Sequence, residues 1–192
     1  MRDIESAKPP PGQPTLWRTC RVLANRKRLQ ILALLIREPN QTVSSVAGHL
    51  TLSLPAASQY LRALEARSLL TCRRISQRVE YRLSAATAEG AAGEIVSALR
   101  STLRGKGPST EPLFKLLTAF THPRRVEVFR AVNKGADTFP KIRAATHIST
   151  RALCRHVAKL EARGFVKADR EIWTVATQKN PLGRVLARLA GR

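Results

Sequence analysis

The sequence predicts a mainly α-helical chain with two small β-hairpins, an α+β fold in which one compact unit is used twice. Three observations lead there. The tetrapeptide LEAR at Leu64–Arg67 returns at Leu160–Arg163 inside a longer repeat. Apolar residues recur at helical spacing in both copies. An arginine-rich, alternating stretch follows the first LEAR, and a shorter one follows the second.

The repeat runs through most of the chain. LANRKRLQILALL at Leu23–Leu35 aligns with FTHPRRVEVFRAV at Phe120–Val132, at an offset of 97 residues. Upstream, TLWRTC at Thr15–Cys20 answers PLFKLL at Pro112–Leu117, with Trp17 opposite Phe114. One residue is lost in the loop between Ile36 and Gln41, a change that surface loops tolerate, and the offset becomes 96. TVSSVAGHL at Thr42–Leu50 then matches TFPKIRAAT at Thr138–Thr146. LSLPAASQYLRALEARSLL at Leu52–Leu70 matches ISTRALCRHVAKLEARGFV at Ile148–Val166.

Each unit therefore reads as helix, helix, short helix, tight turn, longer helix and strand pair. Leu29, Ile31, Leu32 and Leu35 make a buried stripe in the first unit, and Val126, Val128, Phe129 and Val132 make its counterpart. Asn25 is placed to cap the first of these helices and Thr121 the second, with Pro123 in its first turn. The turn between Leu50 and Ser53 joins two helices as a helix-turn-helix. Ser53 and Ser149 stand at the N-cap of the longer helix in each unit.

On that longer helix Ala57, Leu61 and Leu64 share the core face, which turns Pro55, Ser58, Gln59 and Arg62 outward. The second unit offers Arg151, Cys154, Arg155 and Ala158 at those places. Exposed Arg, Gln and Ser are the donors and acceptors that base edges in a major groove require. The strand pair at Leu69–Ser84 carries Arg73, Arg74, Arg78 and Arg82 with a single acid, Glu80. It reads as a basic wing, and Arg73, Arg74 and Arg78 suit a DNA backbone or minor groove. Its counterpart at Phe165–Ala176 has Asp169 and Glu171 at the tip and is expected to avoid phosphate.

Charge points the same way. Lys and Arg number 34 against 13 acids, for a net charge of +21. Residues 1–104 hold 16 basic and 7 acidic side chains and residues 105–192 hold 18 and 6, so both halves are basic. Folded surfaces of that sign suit a polyanion, of which nucleic acid is the commonest. No apolar run approaches the roughly 18 residues that span a bilayer, and no membrane partner is expected. The N-terminus has a Pro cluster rather than the apolar core of a secretory signal. Cys20, Cys72 and Cys154 are few, odd in number and scattered, which fits a reduced, cytoplasmic protein.

The first unit, about residues 15–103, resembles the winged-helix domain of ArsR-family bacterial transcription regulators. The resemblance rests on LANRKRLQILALL, on LSLPAASQYLRALEARSLL with Pro55, Ser58, Leu61 and Leu64, and on the basic hairpin. The second, about 112–190, is similar more loosely, with Arg151 in place of Pro55 and a shorter wing. The resemblance implies sequence-specific binding of double-stranded DNA, usually as a repressor, by a dimer in the bacterial cytoplasm or nucleoid. It also implies a dimer interface on the first and last helices of each unit.

The expected organisation is a disordered tail at 1–14, a first domain at 15–104, a linker at 105–111 and a second domain at 112–192. The helices near 54–67 and 150–163 are expected to read the major groove. Expected DNA contacts are Ser53, Pro55, Ser58, Gln59, Arg62, Arg73, Arg74 and Arg78, then Thr150, Arg151, Arg155, His156 and Lys159. One chain with two copies can satisfy both sides of the family's interface, so an intrachain pseudo-dimer is expected, a homodimer of chains being the alternative. Its apolar seam would hold Leu16, Trp17, Ile95, Val96, Leu99 and Leu103, then Leu113, Phe114, Leu182, Val185, Leu186 and Leu189.

Other readings fare worse. Many members of the resembled family sense metals, but the short helices before the turns, Thr42–Val46 and Thr138–Ile142, contain no thiol. His49, His122, His147 and His156 lack paired ligand spacing. Cys154 lies between Arg151 and Arg155, where positive neighbours favour thiolate, yet a small residue chosen for fit explains it better. Trp17 and Phe114 are expected to anchor helices rather than cage a ligand. Neither a Gly-rich phosphate loop nor a nucleophile–base pair is present, so no enzyme and no cofactor is expected, and no effector ligand is legible. A non-specific architectural DNA protein and a plasmid-type replication initiator share the same charge and remain alternatives.

Overall fold

A computed structural model describes residues 15–85, 91–104 and 110–192. The expected tail and most of the expected linker lie outside them. The first half begins with helices α1 (Leu16–Leu23) and α2 (Arg26–Arg37), a short strand β1 (Gln41–Thr42), and helices α3 (Val43–Leu50) and α4 (Leu54–Glu65). A hairpin of β2 (Leu70–Ile75) and β3 (Arg78–Leu83) follows, then helix α5 (Ala91–Leu103). The second half runs through α6 (Thr110–Thr118), α7 (Pro123–Asn133), α8 (Phe139–Thr146) and α9 (Thr150–Glu161). It ends with a hairpin of β4 (Val166–Asp169) and β5 (Ile172–Val175), and α10 (Pro181–Gly191). Apart from β1, elements of the same kind recur in the same order.

Side-chain caps set several helix starts. Asn25 Oδ1 accepts the Arg28 amide at 3.0 Å, and Thr42 Oγ1 accepts that of Ser45 at 3.2 Å. Thr121 does not cap α7: His122 does, its Nδ1 accepting the Arg124 amide at 3.1 Å. Pro123 is the first helical residue and its φ is already helical, so the residue just before it becomes the cap. Thr121 instead donates to the Thr118 carbonyl. Ser53 accepts the Ala56 amide at 3.4 Å, while Ser149 occupies the N-cap of α9 without a side-chain bond. Helix α6 starts at Thr110, inside the stretch assigned to the linker, with Glu111 favouring the positive end of its dipole.

Both helix-turn-helix corners are made alike. Thr51 closes α3 and His147 closes α8 in left-handed backbone, at φ 50° and 52°. A single left-handed residue reverses the chain within a few residues, so the longer helix leaves at an angle to the shorter one.

The first sheet has the order β1-β3-β2 and is antiparallel throughout, with Tyr81 opposite both Gln41 and Cys72. The second sheet is only β4-β5. Where β1 would be, a single bond remains, from the Trp173 amide to the Asp137 carbonyl at 2.6 Å.

The buried side chains form one continuous apolar cluster. At its centre in the first half lie Leu23, Leu32 and Leu69, none of them exposed. The second half has Phe120, Phe129 and Phe165 there, rings edge-on with centroids 4.7, 5.3 and 6.3 Å apart. The halves meet along two seams: α5 packs on α10, and α6 packs on α1 and α2. Ile95, Val96, Leu99, Leu103, Leu113, Leu182, Leu186 and Leu189 are buried, while Leu16, Trp17, Phe114 and Val185 are half-buried. Polar contacts border these seams. Arg26 grips Glu111 with two bonds of 2.9 and 3.0 Å and lies 4.3 Å from the Phe114 ring centre. Glu94 meets Arg188 at 2.7 Å and Arg192 at 3.0 Å. No described helix is long and apolar enough to cross a membrane.

Candidate nucleic-acid interface

Helix α4 is held by Ala57, Leu61 and Leu64, all fully buried. Three of the twelve helical residues sit in the core, which leaves the opposite face free. Ser53, Pro55, Gln59 and Arg62 are exposed there and Ser58 is half-buried. Leu54, which the sequence pattern does not single out, is 55% exposed at the first helical position. An apolar side chain at the entrance of a reading helix suits a thymine methyl.

Behind α4 the Arg28 Nη1 donates to the Val22 carbonyl at 3.0 Å, and its guanidinium lies 5.4 Å from the Tyr60 ring centre. This clamp fixes α4 against the start of α2. The hairpin is tied to the other end of α4. Glu65 accepts a hydrogen bond from the Cys72 thiol and holds its pKa above the ordinary thiol value. Burial, then the Glu65 charge, pushes the Tyr81 hydroxyl up as well. Arg73, Arg74 and Arg78 are exposed along this hairpin, with Ile75 44% exposed beside the turn. Arg73 faces Glu80 across the ladder. The geometry thus sets a helix face and a basic ribbon at fixed angles on one scaffold.

In the second half Thr150, Arg151, Cys154 and Arg155 are exposed on α9, opposite buried Leu153, Val157 and Leu160. His156 and Lys159 lie instead on the flank that packs toward α7 and are half-buried. There the His156 ring stands 4.9 Å from that of His122. The linear spacing of the histidines hides this pair, because 34 residues separate them and only the fold closes the gap. Burial, then Arg125 and Arg124, holds His122 below the ordinary imidazole value. Burial, then His122 and Arg125, does the same for His156.

Arg125 repeats the clamp of the first half: its Nε donates to the Ala119 carbonyl at 2.7 Å. Burial, then the nearby Arg163, lowers its pKa. Burial followed by Arg163 and Arg125 lowers that of Lys159 too. The hairpin here is shorter, and Arg170 and Glu171 both take left-handed backbone at φ 45° and 72° to close it in two residues. Asp169 and Glu171 are exposed at that tip. Among the described residues no group of three or more His, Cys, Asp or Glu could hold a metal ion. Cys20 is buried, and Cys72 and Cys154 are exposed and free of disulfides.

Residues 25–71 match the model of a family described as winged helix-turn-helix DNA-binding. The matched segment spans α2, α3, α4 and the start of β2. No curated protein and no solved structure matches the chain.

Proposed function

We propose that the chain is a sequence-specific regulator of transcription, a repressor that acts by occupying duplex DNA. Two winged-helix units, 15–104 and 112–192, form an intrachain pseudo-dimer and read two unlike half-sites. The observation that carries this reading is the exposed face of α4, within a segment that matches a DNA-binding family, beside a basic hairpin that follows that segment. The recurring element order, the paired Arg28 and Arg125 clamps and the paired left-handed corners at Thr51 and His147 support a duplicated unit. The apolar seams of α5 with α10 and of α6 with α1 support a pseudo-dimer, in the arrangement that the resemblance to ArsR-family regulators implies.

The mechanism follows from the two faces. In the first unit Pro55, Ser58, Gln59 and Arg62 meet base edges while Arg73, Arg74 and Arg78 meet phosphates; Ser53 and Leu54 guard the helix entrance. In the second, Thr150, Arg151 and Arg155 reach bases, and Arg favours the O6 and N7 of guanine. Two different helices on one rigid chain select an asymmetric operator, with half-sites about one helical turn, roughly 34 Å, apart. The chain acts by binding, not by catalysis, and no cofactor enters the mechanism.

Competitive selection of duplexes from a random library tests this. The expected outcome is a non-palindromic consensus with a G-rich side. A clean palindrome would favour a homodimer of chains, each using one unit, and an absence of any consensus would favour an architectural protein.

A further inference from the structure

Beside α9, bordering its outward face at Arg155, lies an open cleft of about 570 Å³. His122, Arg124 and Arg125 of α7 and its cap line one wall, and Arg155 and His156 of α9 line the other. His147, from the corner after α8, closes one end. None of the described residues lining it is acidic. Arg155 makes no hydrogen bond or ion pair among the described residues, while Arg124 shares its charge with Glu127 at 2.8 Å.

The first half has no such arrangement. At the positions equivalent to His122 and His156 by the repeat offsets stand Asn25 and Tyr60. Asn25 caps the helix and Tyr60 covers the clamp arginine. The fold therefore does not require imidazole at either place.

We propose that this cleft is a phosphate-binding site whose occupancy is linked to protonation of His156. Arginines and histidines converging without a carboxylate recognise an oxyanion. The two rings have different parts. His122 Nδ1 accepts the Arg124 amide, so its proton sits on Nε2 and the ring stays neutral as a hydrogen-bond donor. His156 has no such bond among the described residues and is free to take up a proton. It faces His122, Arg124 and Arg125 from the α7 side and Arg155 on its own helix. Burial, then the neighbouring arginines, disfavour its charged form in the empty cleft, and a bound phosphate offsets the arginines' charge. Proton uptake then accompanies binding. Affinity is full below the pKa of the free protein and is lost as pH rises through the raised pKa of the complex.

Two sources carry this chemistry: a backbone phosphodiester of DNA seated on α9, or a free phosphate. Only the choice of the first rests on the function proposed above. The test is a histidine NMR titration of the full chain between about pH 5 and about pH 8. It is run alone, with inorganic phosphate against chloride of equal ionic strength, and with a selected duplex. His49, beside Glu38 at 3.4 Å and not part of the cleft lining, is the internal control.

The expected result is a rise in the His156 midpoint, relative to that of His49, with at least one probe. A rise with duplex alone assigns the site to the DNA backbone; a rise with inorganic phosphate assigns it to a free anion as well. An unmoved His156 midpoint with both probes overturns the proposal. If the duplex fails to bind at every pH, the DNA reading falls, and the inorganic phosphate arm still decides the site.

A second measurement uses His156→Tyr and His122→Asn, which install the residues of the first half. Where the duplex is the source, wild-type affinity gains up to about tenfold per unit fall in pH for one proton taken up. His156→Tyr flattens that slope while the salt dependence remains. An equal slope in wild type and His156→Tyr would exclude His156 as the linked group.

Discussion

The two halves share their interior mechanics and differ at their surfaces. Each clamps its longer helix with an arginine that donates to a carbonyl six residues back, Arg28 to Val22 and Arg125 to Ala119. Each turns its helix-turn-helix corner through one left-handed residue. Where Leu23, Leu32 and Leu69 fill the first centre, Phe120, Phe129 and Phe165 fill the second with larger rings. The outward faces have diverged further. The first half has a long basic hairpin and one arginine, Arg62, on α4; the second has a short hairpin with an acidic tip and Arg151 and Arg155 on α9. Under the function proposed above, similar scaffolds with unlike faces suit an asymmetric operator.

The largest effect expected from breaking this comparison is in the core. Phe129→Ala should lower unfolding free energy by about 3–5 kcal/mol, since it empties the centre of an edge-on trio. Trp17 reports on the first half and Trp173 on the second, so fluorescence can follow both. With one continuous core the two signals shift together under denaturant; a shift in Trp173 alone would make the halves independent.

The clamps come next. Arg28→Ala removes a charged hydrogen bond and the cover on Tyr60, at a cost of about 1.5–3 kcal/mol. Arg125→Ala should cost more, because its guanidinium donates to the Thr118 carbonyl and to Thr121 Oγ1 as well as to the Ala119 carbonyl. Chemical denaturation of both variants checks the order.

On DNA, Arg155→Ala should erase about 1–3 kcal/mol of discrimination on one side of the operator. Arg78→Ala should weaken all sequences alike and reduce the salt slope by about one. Binding isotherms on matched and mismatched duplexes at several salt concentrations separate the two roles, and exchanged phenotypes would refute them.

Smaller still are two stability effects. His122 and His156 titrate below the ordinary 6.5 in the folded chain, so the unfolded chain binds more protons just under that pH. Stability is full above about 6.5 and declines as pH falls toward the lowered native values; thermal melts across that range should show the decline, and His122→Asn with His156→Tyr should remove it. Ser68 ends its turn at φ 55° where Gly164 has φ 72°. Ser68→Gly should therefore gain about 1 kcal/mol by removing left-handed strain, read from the denaturation midpoint.

Much of this was legible in the sequence, because helical periodicity, capping residues and the repeat are local signals. The buried stripes of α2, α4, α7 and α9 fall where the apolar spacing puts them. Contacts made only by folding were not legible. Strand β1 is two residues long and exists through its pairing with Tyr81 and Glu80. The cap of α7 moved from Thr121 to His122 because Pro123 fixes the first helical residue. His122 and His156 meet across two helices, and no spacing rule signals that. Lys159 carries the right charge for a base contact yet faces the flank, a matter of a fraction of a helical turn. Leu54 went unnoticed because an apolar residue at a helix start looks like core until its exposure is seen.

The central claim is that one chain, through two unlike helices, occupies one asymmetric site. The most direct measurement is the mass of the complex on a selected operator, by native mass spectrometry, with a footprint of the same complex. The account predicts one chain per duplex and protection of two successive major grooves. Two chains per duplex, each covering an identical half-site, would contradict it.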